Sequence, residues 1–346
     1  MGLFSWLGGG SRKEAEAEPQ AEEAVSLEEL AAALESPVGA LRVDATRALL
    51  ERWRSGDAQA AEILAPRLPQ LLEDEEPLAR AAALSGVRLL RQPASLERNA
   101  SAVLALLADP VPQVRTAAIW SALRLPGEVA REQVRALLSS TEEPMRFAAA
   151  CALSDVHDAA ALPELVAALR EEHRRQEALS ALMSLGEAGA LPQIAELFEE
   201  ESLGEFDKTL VAAAMARFGD VRGAAHLVER IEADADDRPV AAEWAGRLGV
   251  QQAIGALEAL AEEEGDPAQG AAMRALGRLH APGAEERLLR VASDASAAED
   301  LKMDAAEGLA ELGTPAALEL LGKLASSQEE ELSQLCRELL VEVSEK

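Results

Sequence analysis

Apolar residues along this chain recur at three- and four-residue intervals, with Val and Ile occurring singly inside those windows. No alternating run of strand formers appears, so the pattern predicts helices throughout. A Leu/Ala-rich segment, a short polar turn, a second Ala-rich segment and a stop follow one another about ten times, with a period of thirty-odd residues. Second helices are predicted near 40–54, 77–91, 112–125, 144–156, 172–185, 206–218, 238–248, 267–279, 300–312 and 329–343, each preceded by a partner helix. The punctuation supports these boundaries. Pro37, Pro77, Pro112, Pro144, Pro239 and Pro267 fall at or near the first turn of a second helix, where a missing amide hydrogen is harmless. Leu185-Gly186, Phe218-Gly219, Leu248-Gly249, Leu279-His280 and Leu312-Gly313 read as stops, where a left-handed cap is wanted. The expectation is an all-α solenoid of about ten helix pairs over residues 26–343.

Stacked hairpins have no closed interior, so function is expected on the surface. Composition agrees with close-packed helices: the chain is 49% apolar but only 3% aromatic, with no Tyr. Cys151 and Cys336 lie in distant repeats near the middle of predicted helices, which argues against a disulfide and for a reducing, cytoplasmic compartment. There is no run of eighteen apolar residues and no export signal, so neither a membrane span nor secretion is expected.

Net charge is −29 and unevenly spread: −6 for residues 1–35, −3 for 36–180 and −20 for 181–346. An Arg-richer half (26–186) is thus followed by a strongly acidic half (187–343) that would repel nucleic acid and anionic lipid. Residues 1–25 stand outside the repeat and read as a disordered tether. Leu3, Phe4, Trp6 and Leu7 form an apolar tip that could dock to a protein groove or make weak peripheral contact with a membrane through residues 2–7. It could equally have no role.

Asp74 precedes Arg80 by six residues and Asp109 precedes Arg115 by six; Arg42 and Arg146 take the same place, with Ser36 and Ser140 six residues before. With the stretch Asp109-Pro110-Val111-Pro112-Gln113-Val114-Arg115-Thr116-Ala117-Ala118, this pattern resembles HEAT repeats, of the short Ala-rich kind found in bacterial phycobilisome lyases. The resemblance covers roughly 26–343 and is strongest in the first four repeats. It implies a right-handed α-α superhelix in which turn Asp and second-helix Arg residues form a ladder through Asp74, Arg80, Asp109, Arg115 and Arg42. Further on, Lys208, Arg238 and Lys302 are the nearest equivalents.

Enzymatic readings fare poorly. None of His157, His173, His226 and His280 has a second ligand at metal-site spacing, and the His-Glu pairs that the resemblance to deoxyhypusine hydroxylases would require are absent. His280 replaces a capping Gly. The HEAT-like alkylpurine DNA glycosylases draw DNA to a basic face, which a charge of −29 disfavours. No catalytic residue, metal or cofactor is therefore expected, and the chain reads as a non-enzymatic scaffold or adaptor for protein partners. A chaperone-like assembly factor or bilin-lyase-like accessory is the alternative, and a glycosylase-like DNA enzyme a remote one.

Counting from the ladder Arg, the third residue is always small: Ala45, Ala83, Ala118 or Ala149. That row should be buried. The first and fifth residues vary freely, which places Trp120 and Phe147 either on an aromatic patch along the inner surface or between adjacent second helices. Arg88, Arg124 and Arg146 nearby would suit an acidic partner segment. Glu199-Glu200-Glu201, Glu262-Glu263-Glu264 and Glu329-Glu330-Glu331 sit at helix junctions and suggest an acidic edge, either a solvated rim or a surface for a basic partner.

Overall fold

The computed structural model describes residues 25–345. Among them no strand occurs, and the helices fall into ten successive pairs. The first five pairs are α1 (Leu27–Ala33) with α2 (Gly39–Arg54), α3 and α4 (Ala58–Leu64, Leu68–Leu72) with α5 (Pro77–Leu89), α6 (Pro93–Ala105) with α7 (Pro112–Ala122), α8 (Glu128–Ala136) with α9 (Glu143–Asp155), and α10 (Leu162–Ala168) with α11 (Glu172–Leu185). The other five are α12 (Leu191–Phe198) with α13 (Glu205–Arg217), α14 (Val221–Glu232) with α15 (Arg238–Arg247), α16 (Ile254–Ala261) with α17 (Gln269–Arg278), α18 (Ala284–Ser293) with α19 (Glu299–Leu312), and α20 (Pro315–Leu324) with α21 (Glu330–Glu345).

Local chemistry explains the boundaries. Pro77 and Pro112 open their helices at the first position and Pro144 and Pro239 at the second, as the missing N–H permits. Pro66 has the opposite effect, dividing the first helix of the second pair into α3 and α4 through a 3-10 turn at Ala65–Arg67. Ser26 and Glu29 form a reciprocal capping box that starts α1. Where α11 and α19 stop, Gly186 and Gly313 take left-handed backbone. His157 and His280 adopt φ of 53° and 47° at the same structural point, the positive-φ residues other than Gly among those described. Helix ends deviate from the sequence pattern by a turn or less: α7 ends at Ala122 and α5 at Leu89, α17 begins two residues beyond Pro267, and α21 runs on to Glu345.

The chain divides into two compact units, Met1–Glu187 and Ala188–Lys346. In the first, second helices stack in order, α2 on α5, α5 on α7, α7 on α9 and α9 on α11. The small-residue row forms their contact: Ala45 is 2% exposed and Ala83, Ala118 and Ala149 are fully buried. In the second unit α15, α17 and α19 stack likewise, through Gly246 against Ala275 and Gly277 against Gly308. Removing side chains there lets backbones approach closely, which maximises dispersion contact. Leu332 and Cys336 of α21 are fully buried, so the last helix covers the end of this core.

Candidate binding surface

The turn between helices and the second helix are tied by one recurring arrangement. Arg80 extends its Nε and Nη2 to the two carboxylate oxygens of Asp109 in the next pair, at 2.8 and 3.0 Å. Its Nη1 donates backward to the backbone carbonyl of Asp74, six residues earlier, at 2.8 Å. Arg42 does the same, with Asp74 ahead at 2.7 and 2.6 Å and the Ser36 carbonyl behind at 2.8 Å. Arg115 and Arg146 keep the backward bond, to Asp109 and Ser140 at 3.0 and 2.9 Å. Arg115 reaches forward to Glu142 at 2.5 Å, because Ser140 can hold the turn through its hydroxyl but carries no carboxylate, and Arg146 reaches forward to Glu164 at 3.3 Å. The spacing of six therefore marks an arginine that closes its own turn, while the carboxylate it binds belongs to the following pair.

Each ladder Asp also accepts from the amide two residues on, Glu76 or Val111, both at 2.8 Å. Hydrogen bonds from Arg42 hold the Asp74 carboxyl below its ordinary range against the opposing effect of burial. For Asp109 burial is the largest influence and pushes upward, yet the bonds from Arg80 and Val111 outweigh it and the net direction is down.

In the second unit the ladder continues with different donors and acceptors. Arg238 reaches Glu263 at 2.7 Å and Asp266 at 2.8 Å, and Lys302 reaches Glu329 at 2.7 Å. Thr209, beside the expected Lys208, donates to Asp237 at 2.5 Å; Lys208 instead lies 5.1 Å over the Phe198 ring. The glutamate triplets are thus partly structural: Glu199 pairs with Arg222, Glu262 with Arg287 and Arg290, and Glu263 and Glu329 serve as ladder acceptors. Glu200, Glu201 and Glu264 remain exposed.

The second helices of the first unit present a face along α2, α5 and α7. Arg47, Arg88 and Arg124 are exposed on it, and none has a carboxylate partner among the described residues. Trp120 is half-buried with the Arg88 guanidinium 6.0 Å from its ring. Between α2 and α5 lies a cavity of about 420 Å³.

Phe147 and Arg146, the other residues considered for this face, are engaged within the chain. Phe147 is only 7% exposed, covered by the Arg174 guanidinium 4.8 Å over its ring, so it does not extend an open aromatic patch from Trp120. Arg146 spends its guanidinium on Ser140 and Glu164. Both covering groups come from a neighbouring pair or an opposing helix, which counting positions along one helix does not reveal. Leu3, Phe4, Trp6 and Leu7 lie outside the described residues.

The corresponding face of the second unit holds a charge cluster that sequence reading missed. Glu243 of α15, 2% exposed, accepts from Arg247 at 2.7 Å, from Arg274 at 3.3 Å and from Arg278. Arg274 continues to Asp304 and to Glu307 at 3.5 Å, and Arg278 to Glu311 at 3.3 Å, so the network crosses α15, α17 and α19. Burial alone would raise the Glu243 carboxyl, but Arg278, Arg247 and Arg274 outweigh it and hold it ionised below the ordinary range. Asp304 and Glu307 go the other way: burial dominates and raises both, aided by neighbouring carboxylates. A signal existed in the 31-residue spacing of Glu243 and Arg274, which matches that of Gly246, Gly277 and Gly308. Among the described residues no group of three or more His, Cys, Asp or Glu could hold a metal, and no helix is long and apolar enough to cross a membrane.

Paired helices joined through an Arg–carboxylate ladder define an all-α repeat protein of the solenoid class. Residues 100–183 match the family described as HEAT repeats, spanning from α6 into α11. Within those residues the chain therefore carries repeats of the HEAT type. No curated protein matches its sequence significantly. Among solved structures, it is similar to a chain of a homology model of the full-length AP-3 complex in an intermediate open conformation, at 13% identity and a TM-score of 0.50, covering 92% of this chain and 69% of that one. It is also similar to the CpcE and CpcF complex of phycocyanin lyase from Nostoc sp. PCC7120 (19% identity, TM-score 0.35, 95% and 99% covered). Human deoxyhypusine hydroxylase in complex with glycerol gives 19% identity and a TM-score of 0.31, with 72% and 98% covered. Likeness at these identities extends to the fold alone.

Proposed function

We propose that this chain is a non-catalytic, cytoplasmic scaffold or adaptor that binds protein partners on the second-helix face of its first unit and along the acidic edge of its second. One contrast carries the reading. The second-helix face of the Ala188–Lys346 unit satisfies Arg247, Arg274 and Arg278 with its own carboxylates, whereas that of the Met1–Glu187 unit leaves Arg47, Arg88 and Arg124 unmatched among the described residues, with Arg88 6.0 Å from the Trp120 ring. Unmatched arginines beside a half-buried indole are the composition of an interface anchor. Exposed Glu200, Glu201 and Glu264 add an edge able to steer a basic partner. Residues 2–7 supply a further, weak contact with protein or membrane.

The test is affinity capture with the whole chain, followed by cross-linking and mass spectrometry to locate each contact. Partners cross-linked to α2, α5 or α7 and weakened by Trp120→Ala support the reading. Partners that touch neither this face nor the glutamate edge sink it, as does steady turnover of a substrate by the purified chain.

A further inference from the structure

We propose that the α2–α5–α7 face docks an acidic peptide segment of a partner, held by the three unmatched arginines and anchored by one bulky apolar side chain in the cavity between α2 and α5. The inference rests on the scaffold reading and gives the partner its chemistry. Leu50, Ala81 and Ala82 line the cavity, and Leu78 stands at its wall with 48% of its surface exposed. At about 420 Å³ the space is within the range that admits a large side chain. Burying one Leu- or Phe-sized group there is worth roughly ten- to a hundredfold in affinity.

Charge selects the rest of the segment. Arg47 and Arg54 flank the cavity, and Arg88 and Arg124 continue the line across α5 and the end of α7. Glu51 also lines the cavity, but it is paired at 3.7 Å with Arg54. Guanidinium groups can bind carboxylates through two parallel hydrogen bonds, as Arg42 and Arg80 do in this molecule. Arg47, Arg88 and Arg124 have no such carboxylate among the described residues, and a partner segment rich in Asp or Glu would provide it. A nucleic acid would bring similar charge but no apolar anchor, and it would meet the repulsion of a chain at −29.

The experiment pans random dodecapeptides displayed on phage against the whole chain. Two further baits are Arg47→Glu/Arg88→Glu/Arg124→Glu, which alters exposed residues, and Ala81→Trp, which fills the cavity and leaves every charge. Circular dichroism melts establish that each bait is folded, and Ala81→Trp keeps the test decisive should the triple variant unfold. The expected winners carry net negative charge and at least one Leu, Ile, Phe or Trp. As synthetic peptides they bind the whole chain and lose about tenfold or more in affinity to either variant. Winners that are neutral or basic overturn the inference. So do winners indifferent to both variants, an outcome that places the contact elsewhere while leaving the scaffold reading to its own cross-linking test. Failure to enrich any peptide also overturns it. Arginine-dependent self-association, peptide binding seen only after residues 1–24 are removed, or arginine-dependent duplex binding at about 0.15 M salt would each assign the face to another occupant and end the proposal.

Discussion

Gly277 on α17 rests against Gly308 on α19 so closely that a β-carbon at 277 would stand 2.7 Å from the Gly308 α-carbon and overlap its carbonyl oxygen. Neither group can move without shifting a helix axis, because both belong to backbone. Gly277→Ala should therefore cost about 1–3 kcal/mol despite the higher helix propensity of Ala. Gly322, exposed on α20, has nothing within 4 Å of its own added β-carbon, and Gly322→Ala should stabilise by about 0.4–1 kcal/mol. Urea titrations of the two variants check the opposite signs.

Glu243 joins three arginines from two helices, and removing its charge leaves them facing one another. Glu243→Gln should cost about 2–3 kcal/mol, below the full penalty for breaking a buried pair, since Asp304, Glu307 and Glu311 still hold Arg274 and Arg278. Hydrogen exchange should rise along α15, α17 and α19 while α2 and α5 keep their protection. A uniform rise, or none, would refute the hub role.

The ladder aspartates of the first unit and Asp304 of the second should contribute to acid response with opposite signs. Asp74 and Asp109 have depressed carboxyl pKa values when folded, so their contribution is present above the ordinary value of 3.8 and lost as pH falls through the folded values. Asp304 is raised, so the folded state binds its proton more tightly; stability from this group falls as pH rises from 3.8 through the folded value. Asp74→Asn should flatten the acid loss measured by exchange in α2 and α5. Asp304→Asn should flatten the opposite slope in α17 and α19.

His280 occupies left-handed backbone with φ of 47° at the end of a helix pair, a conformation that costs a residue with a β-carbon about 1–2 kcal/mol. His280→Gly relieves that strain and gives back part of it through the freer unfolded chain, for a net gain of about 0.5 kcal/mol. A rise in thermal midpoint of one to a few degrees is the expected readout.

The positions of the helix pairs were legible because their signals are local: Pro77 and Pro112 start helices, and Gly186 and Gly313 stop them, whatever lies alongside. The small-residue row at Ala45, Ala83, Ala118 and Ala149 was legible because one contact recurs from pair to pair. Arg80 was recognisable by its spacing from Asp74, but its carboxylate partner Asp109 lies 29 residues ahead, where neighbouring pairs differ in length. The acceptors Glu263 and Glu329 were hidden by a change of residue type. Phe147 belongs to a row that is open at Thr116 and closed here by Arg174, a side chain from the following pair. Glu243 was missed for a similar reason: two of the three arginines it binds, Arg274 and Arg278, lie on the next second helix, α17.

Because Arg42, Arg80 and Arg115 all reach toward the pair that follows, the ladder has a direction. Peeling a hairpin from the C-terminal side of this run strands a guanidinium, whereas peeling one from the N-terminal side strands a carboxylate already steadied by an amide two residues on. Fraying from the two ends is therefore unequal, and acid, which neutralises the stranded carboxylate but never the stranded arginine, widens the difference.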